Sequence, residues 1–348
     1  MRILVTGGAG YIGSHVVRAL LAAGHEALVL DDLSEGHVQA IPRDVCLVEG
    51  DIADPQSLER AMGGRALDGV VHMAASCLVG ESMRDPVRYY DNNVARTLRL
   101  LANLTASGVA RFVLSSTAAV YGDPTAADAT ASAMPPIEED HPCQPTNVYG
   151  ETKLAAERAL DWHARCAGMK AVALRYFNAA GADPSGTIGE DHEPETHLIP
   201  LVCQAAIGKI PRVTIMGRDY PTPDGTCLRD YIHVNDLARA HVLALSSLAG
   251  DDARDPADAG LRVYNLGAER AISVLEVVAA AGRIAGAAIP TIDGPRRPGD
   301  PPVLLASSSR IREDLGWRPE HSDLDTILRT ALAWHRAHPD GFEAVAAS

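Results

Sequence analysis

The sequence predicts an α/β protein, a doubly wound parallel sheet followed by a smaller C-terminal α/β unit. Three observations carry this. Six short apolar runs alternate with helix-like stretches within the first 175 residues, the pattern of strands joined by crossover helices. The first run leads through a glycine-rich turn into a helix. Hydroxyl and acidic residues collect just past the runs, where an open parallel sheet places its ligands and its chemistry.

Residues 2–6 (RILVT) form the first strand, and Gly7-Gly8-Ala9-Gly10-Tyr11-Ile12-Gly13 leads into a helix ending near Ala23. In such a Rossmann-type turn Gly7 allows the tight bend, Gly10 the approach of a pyrophosphate and Gly13 the packing of helix on strand. The helix N-terminus aims free N–H groups at the phosphates. Glu26–Leu30 is the second strand and ends at Asp31, 24 residues after Gly7. An acid there takes the adenosine ribose hydroxyls, and with Asp32 it disfavours a 2′-phosphate, so NAD is expected over NADP.

Val45–Glu49 is the third strand, followed by Asp51 and Ile52. Asp51 reads either as an acceptor for the adenine amino group or as a turn acid before the helix at 55–62. Gly69–Met73 is a fourth strand, Pro86–Ser107 a long helix carrying Asn92 and Asn93, and Arg111–Ser115 a fifth strand running into Ser116 and Thr117. Ala171–Leu174 is the sixth. Beyond Phe177 the pattern loosens: 183–197 reads as a polar loop, 198–207 as helix and 212–215 as strand. The apolar helix 234–248 and the strand 261–266 return to the first sheet, and helices at 308–315 and 323–338 close the chain. The expected units are thus residues 1–180 with 234–266, and residues 181–233 with 267–348.

The 348 residues carry 47% hydrophobic side chains and a net charge of −14. That is enough for a large core. It argues against nucleic acid as a partner, which needs a basic face. Six cysteines, at 46, 77, 143, 166, 203 and 227, are never closer than 23 residues. They read as free thiols in a reducing compartment, with no metal-type cysteine spacing and no metal site expected. No apolar run approaches the roughly 18 residues of a membrane span, so a cytoplasmic protein without a membrane partner is expected. Only the stretch 123–135 and the last few residues have a disordered composition.

Tyr149 and Lys153 stand four apart at the head of a helix-like run, 151–167, and so share one helix face. A phenol beside an ammonium is a way to make a base at neutral pH. Bringing a tyrosine from about 10 to near 7 takes roughly 4 kcal/mol of differential stabilisation.

Together, GGAGYIGSH, Asp31, Ser115-Ser116-Thr117 followed by Tyr149-x-x-x-Lys153, Val79-Gly80-Glu81-Ser82, Tyr176-Phe177-Asn178, Asp224–Val234 (DGTCLRDYIHV) and Arg296–Pro301 (RRPGDP) resemble the extended short-chain dehydrogenase/reductases. Within them they resemble the branch that epimerises UDP-hexoses at C4. The resemblance runs from Met1 to about Trp317. It implies an NAD-dependent isomerase of galactose and carbohydrate metabolism, acting on UDP-glucose and UDP-galactose by hydride abstraction at C4, rotation of a 4-keto intermediate and hydride return. It implies Tyr149 as base, Lys153 as its tuner and nicotinamide-ribose anchor, and Thr117 as the partner of the 4-oxygen. It places NAD on Gly7, Gly10, Tyr11, Ile12, Gly13, Asp31, Asp51, Ile52, Met73, Ala74, Ala75, Asn93, Ser115, Tyr149, Lys153 and Tyr176. It places the UDP-sugar on Thr117, Asn178, Leu198, Arg229, Tyr231, Arg297 and Asp300. It also implies a homodimer joined through the helices at 86–107 and 149–167.

Three positions depart from the branch's better-known pattern. Cys77 stands where a lysine near the cofactor diphosphate often sits. Residues 123–135 are several residues longer, which reads as a surface loop. Leu304, at the position that gates the sugar, is intermediate in size between a bulky tyrosine and a small residue. UDP-N-acetylhexosamine or UDP-xylose/UDP-arabinose therefore stand as alternative substrates. A 4,6-dehydratase would carry Asp-Glu after Thr117, where this chain has Ala118-Ala119. A non-catalytic NAD-binding regulator is the reading from another class, and it is disfavoured by the presence of Tyr149, Lys153 and Thr117 together.

Overall fold

A computed structural model describes residues 1–124, 135–250, 260–297 and 300–342. Most of the stretch expected as a surface loop at 123–135, and most of the last few residues, lie outside the described residues.

The first half alternates strand and helix: β1 (Arg2–Thr6), α1 (Tyr11–Ala22), β2 (Glu26–Asp31), β3 (Cys46–Glu49), α2 (Pro55–Met62), β4 (Gly69–His72), α3 (Val79–Ser82), α4 (Pro86–Tyr90), α5 (Arg96–Ala106), β5 (Arg111–Thr117), α6 (Val148–Ala167) and β6 (Lys170–Tyr176). The chain continues with β7 (Asn178–Ala180), α7 (Leu198–Ala206), β8 (Val213–Met216), β9 (Leu228–His233), α8 (Val234–Ser246), β10 (Leu261–Leu266), β11 (Ala271–Ser273), α9 (Val274–Ala285), β12 (Thr291–Gly294), β13 (Val303–Leu304), α10 (Ser309–Leu315) and α11 (Leu324–Ala337).

Seven strands form one parallel sheet in the order β10-β6-β5-β4-β1-β2-β3. Side chains alternate across it because a strand repeats every two residues. Ile3, Val5, Val29, Val113 and Val172 face a layer made with α1, α8, Ile311 and Trp317. Leu4, Leu28, Leu30, Phe112 and Ala173 face α2, α5 and α6. Both faces are covered, as a parallel sheet requires. The order reverses between β1 and β4, where Met73 N and Ala74 N both donate to Thr6 O, at 2.9 and 3.0 Å. Such a reversal opens the crevice in which doubly wound sheets bind ligands.

The expected long helix at 86–107 is interrupted. α4 and α5 are joined by a wider, π-helical stretch at Asp91–Ala95. The extra residue per turn accommodates Asn93, whose amide is buried and bonded to the chain after β4; such bulges recur where a side chain must be re-aimed. β7, β9, β11 and β13 make a second, smaller sheet centred on β9, and β8 pairs β12. These strands have two to six residues, most too few for an apolar pattern to show. α9 also escaped the sequence reading, although Ser273 and Glu276 form a capping box at its start, a visible signal. Asp230 of β9 ties the sheets together by accepting Ala268 N, Glu269 N and Ala306 N at 2.8, 3.0 and 3.2 Å. Burial pushes its carboxyl up to about 7. Among the described residues no helix is long and apolar enough to cross a membrane.

Gly7 has φ +68°, and a Cβ on Gly13 would stand 2.1 Å from Gly7 O. Gly13→Ala is therefore expected to lower unfolding free energy by about 1–3 kcal/mol, read in urea melts.

Candidate active site

Helix α6 begins earlier than its apolar pattern indicated. The Asn147 side chain accepts Gly150 N at 2.9 Å and caps the first turn, satisfying an otherwise orphan donor. Tyr149 lies in that turn and Lys153 one turn later, both buried. Lys153 Nζ donates to Ser115 O at 2.9 Å, and Tyr149 N donates to Ser82 Oγ at 3.1 Å. The Thr117 hydroxyl lies close enough to the Tyr149 phenol to favour its ionised form. Thr117 Oγ1 also accepts Ala119 N at 3.1 Å, which fixes its rotamer. Ser115 Oγ and the Tyr176 hydroxyl are 2.5 Å apart. Tyr149, Lys153, Thr117, Ser115 and Tyr176 thus meet at the carboxyl end of β5.

Burial dominates the electrostatics of the pair. The phenol of Tyr149 is pushed well above its ordinary pKa, first by burial and then by Tyr176 and Cys77. The Thr117 hydroxyl acts the other way. Burial instead pulls Lys153 down to about 8. Its ammonium is held by the Ser115 carbonyl. His72, bonded to Thr6 Oγ1 at 2.7 Å and Thr97 Oγ1 at 3.0 Å, falls to about 3 through burial and Lys153. It is a neutral core histidine.

The residues expected for NAD lie around the crevice. Gly7 to Gly13 lead into α1, whose N-terminus no side chain caps. A Cβ at Gly10 would have no neighbour nearer than 3.5 Å, so this point of the turn is open. Asp31 is buried at the end of β2 and accepts Ala9 N and Leu33 N, both at 2.9 Å. Met73, Ala74 and Ala75 follow β4. These features fit a dinucleotide: an open turn at a helix N-terminus, with a fixed carboxylate beside it. Tyr11 donates to Gly181 O at 2.6 Å, tying the turn to the chain after β7.

Two members of this set have other work. Asp51 accepts Ala53 N at 2.8 Å and pairs with Arg96 at 3.1 Å. It serves the turn, and its carboxylate keeps acceptor sites for a further donor, while Asp54 caps α2 and Ile52 is buried beside it. Both amide protons of Asn93 are used, on Ser76 O at 3.0 Å and Thr152 Oγ1 at 3.1 Å. Its position holds the chain after β4 against α6.

On the substrate side, Asn178 of β7 pairs in register with Tyr231 of β9, and Leu304 of β13 with Arg229. Arg229 is buried; it donates to Leu228 O at 2.8 Å and pairs with Asp300. Leu198 opens α7, and Arg297 is exposed and donates to Thr196 O at 3.4 Å. Leu304 packs with Ala118, Tyr121 and Phe177, directly after Thr117. Cys77 is half-buried, and burial pushes its thiol up.

Sequence reasoning missed a buried network behind these groups. Arg175 of β6 grips Glu157 of α6 through two bonds, Nη2–Oε2 at 2.6 Å and Nε–Oε1 at 3.0 Å. The Ser116 hydroxyl donates to the same carboxylate. Arg175 also donates to the Tyr121 hydroxyl at 3.0 Å, which donates to Asn265 Oδ1 at 2.7 Å. The signals were an arginine inside an apolar strand and an acid four residues after Lys153.

The sequence model of the NAD dependent epimerase/dehydratase family matches residues 3–267. Over 342 residues the chain is 48% identical to a UDP-glucose 4-epimerase of Lacticaseibacillus casei, covering 98% of this chain and 99% of that one. Its fold is similar to a crystal structure of UDP-glucose 4-epimerase from Brucella ovis in complex with NAD, with TM-score 0.87, 46% identity and coverage of 95% and 97%. It is also similar to that from Bifidobacterium longum in complex with NAD+ and UDP, with TM-score 0.88, 38% identity and coverage of 98% and 100%.

Arg175→Met would leave the Glu157 carboxylate buried and unpaired. A loss of about 3–5 kcal/mol of unfolding free energy is expected in urea melts; a loss below about 1 kcal/mol would refute the pairing.

Proposed function

The chain belongs to the NAD dependent epimerase/dehydratase family, and from that premise we propose that it interconverts UDP-glucose and UDP-galactose by inverting C4. The observation that carries the reading is buried Tyr149 and Lys153 set beside Ser115 and Thr117 at the end of β5, on a chain similar over nearly its whole length to UDP-glucose 4-epimerases.

NAD would be held by the Gly7–Gly13 turn, Asp31, residues 73–75, Ser115 and Lys153; when bound it accepts the C4 hydride and returns it to the opposite face. The protein's own part is proton transfer and positioning. As the phenolate Tyr149 removes the proton from the 4-hydroxyl as C4 is oxidised, and as the phenol so formed it gives the proton back as C4 is reduced. Thr117 donates to the oxygen in between, so the developing charge is met by a fixed hydroxyl. One phenol serves both directions, which suits an acid–base group that must regain its starting state each turnover. The diphosphate needs cations that a chain of charge −14 must place locally. Arg229 is buried and oriented by Asp300, and Arg297 stands exposed near α7, which supports them as its partners. Asn178, Tyr231 and Leu198 would complete the nucleotide side. The two units expected from the sequence remain part of this proposal: a cofactor-binding unit, and a UDP-sugar-binding unit of residues 181–233 and 267–348.

A homodimer is part of the same reading. Val87 is 77% exposed, Tyr90 44% and Leu98 42%. With Pro86, Val94 and Ala95 they line an open groove of about 480 Å³, and Trp162 on α6 is 65% exposed. Apolar area of this kind marks an interface, and these are the helices expected to join two copies. Val87→Asp with Leu98→Asp should convert a dimer to a monomer in size-exclusion chromatography with light scattering; a monomeric wild type would refute it.

The activity is tested by giving purified protein UDP-galactose, UDP-N-acetylgalactosamine and UDP-xylose separately, without added NAD, and identifying the sugars. Conversion of UDP-galactose to UDP-glucose without net NADH is expected. Exclusive turnover of either other sugar would reassign the substrate, and a build-up of NADH would indicate a dehydrogenase. Tyr149→Phe should cut turnover by about 10²–10⁴-fold while leaving UDP binding intact; an unchanged rate would remove Tyr149 as the base.

A further inference from the structure

We propose that Glu190, His192, Glu195 and His197 form a site for one divalent cation of the zinc class. They are two Glu-x-His arms on either side of a bend at Glu193-Pro194. In extended backbone, residues two apart point the same way, and the bend brings the arms together. One ligand atom from each residue lies within 4.8 Å of all the others. His197 Nδ1 is 3.0 Å from Glu190 Oε1 and 2.9 Å from Glu195 Oε1. His192 Nδ1 is 3.3 Å from Glu190 Oε1 and 3.6 Å from Glu195 Oε2. Four ligands around zinc at about 2.0–2.1 Å stand roughly 3.3 Å apart, and Glu190 Oε1 lies near that spacing from both imidazoles, at 3.0 and 3.3 Å.

Hydrogen bonding accounts for only part of the convergence: His197 Nδ1 is bonded to Glu195 Oε1 at 2.9 Å. One Nδ1 carries at most one proton, yet each imidazole nitrogen faces two carboxylate oxygens. His192 Nδ1 is buried without any well-formed hydrogen bond. Two carboxylates and two neutral imidazoles balance one dication, and imidazole with carboxylate is a donor set zinc accepts.

The surroundings are built to hold such ligands. Glu195 Oε1 accepts Thr196 N at 2.6 Å and His197 N at 2.7 Å. Trp334 Nε1 donates to Glu190 O at 3.1 Å, and a Cβ on Gly189 would meet the Trp334 ring at 2.3 Å. Backbone partners of this kind orient first ligands. Glu190 and Glu195 side chains are 6% and 5% exposed, whereas His197 is 44% exposed, which leaves an entry on its side. The sequence reading expected no metal because it tested only cysteine spacing. The ion would pin the segment that carries Thr196 O and Leu198.

The test uses the full chain, dialysed against chelator and titrated with Zn²⁺ or Co²⁺. One ion per chain by elemental analysis is expected, with the intense visible bands of a four-coordinate Co²⁺ and a thermal midpoint that rises with free Zn²⁺. His192→Asn and Glu195→Gln, each checked for native circular dichroism, should weaken uptake at least tenfold. Failure to take up either ion, undiminished uptake in both variants, or a response to Mg²⁺ alone would overturn the site. The first of these leaves an imidazolium–carboxylate cluster. None of the four residues is in the catalytic set, so these outcomes are independent of the sugar assay.

Discussion

The candidate site depends on how α6 is locked to the ends of β5 and β6, and the lock is the buried Arg175–Glu157 pair. A buried ion pair costs stability unless its geometry is good and its remaining donors and acceptors are met. Here the guanidinium meets the carboxylate at two points, the Ser116 hydroxyl adds a third contact, and Tyr121 takes a further arginine N–H. The fixed geometry prevents α6 from sliding along the sheet. Tyr149 stands two turns before Glu157 on the same helix face, about 12 Å along the axis. Its hydroxyl therefore reaches Thr117, and Lys153 reaches Ser115, at one register only.

The same lock shapes the electrostatics. Burial raises Tyr149 and lowers Lys153, so the packing favours the neutral form of each. Arg229 follows similar logic. A buried guanidinium needs a counter-charge, and Asp300 supplies it across from β9. In a chain of net charge −14 this keeps one cation in place where a diphosphate is to be met.

The π-helical stretch at Asp91–Ala95 is a further consequence of placing polar groups in a packed interior. Asn93 could not satisfy Ser76 and Thr152 together from a regular helix face, and the helix yields around it. The 190–197 segment makes a comparable compromise: a stretch without regular structure is held by side chains, by Trp334 and by its own backbone.

Much of this was legible in the residues. The six leading strands, the glycine turn, Asp31 and the Tyr149–Lys153 pair are local patterns, because period-two burial, a tight turn and one helix turn are all set by neighbours in the chain. The seventh strand, β10, was also visible as an apolar run. The short strands around β9 were not, since two to four residues carry too little periodicity and are fixed by partners up to 75 residues away, as Val303 is from Leu228. Nor did spacing reveal that Asp51 and Asn93 are held by Arg96 and by Ser76 and Thr152, or that Glu157 answers Arg175. Those assignments rest on which side chains meet across the sheet, and only the packed structure decides which polar group remains free for a ligand.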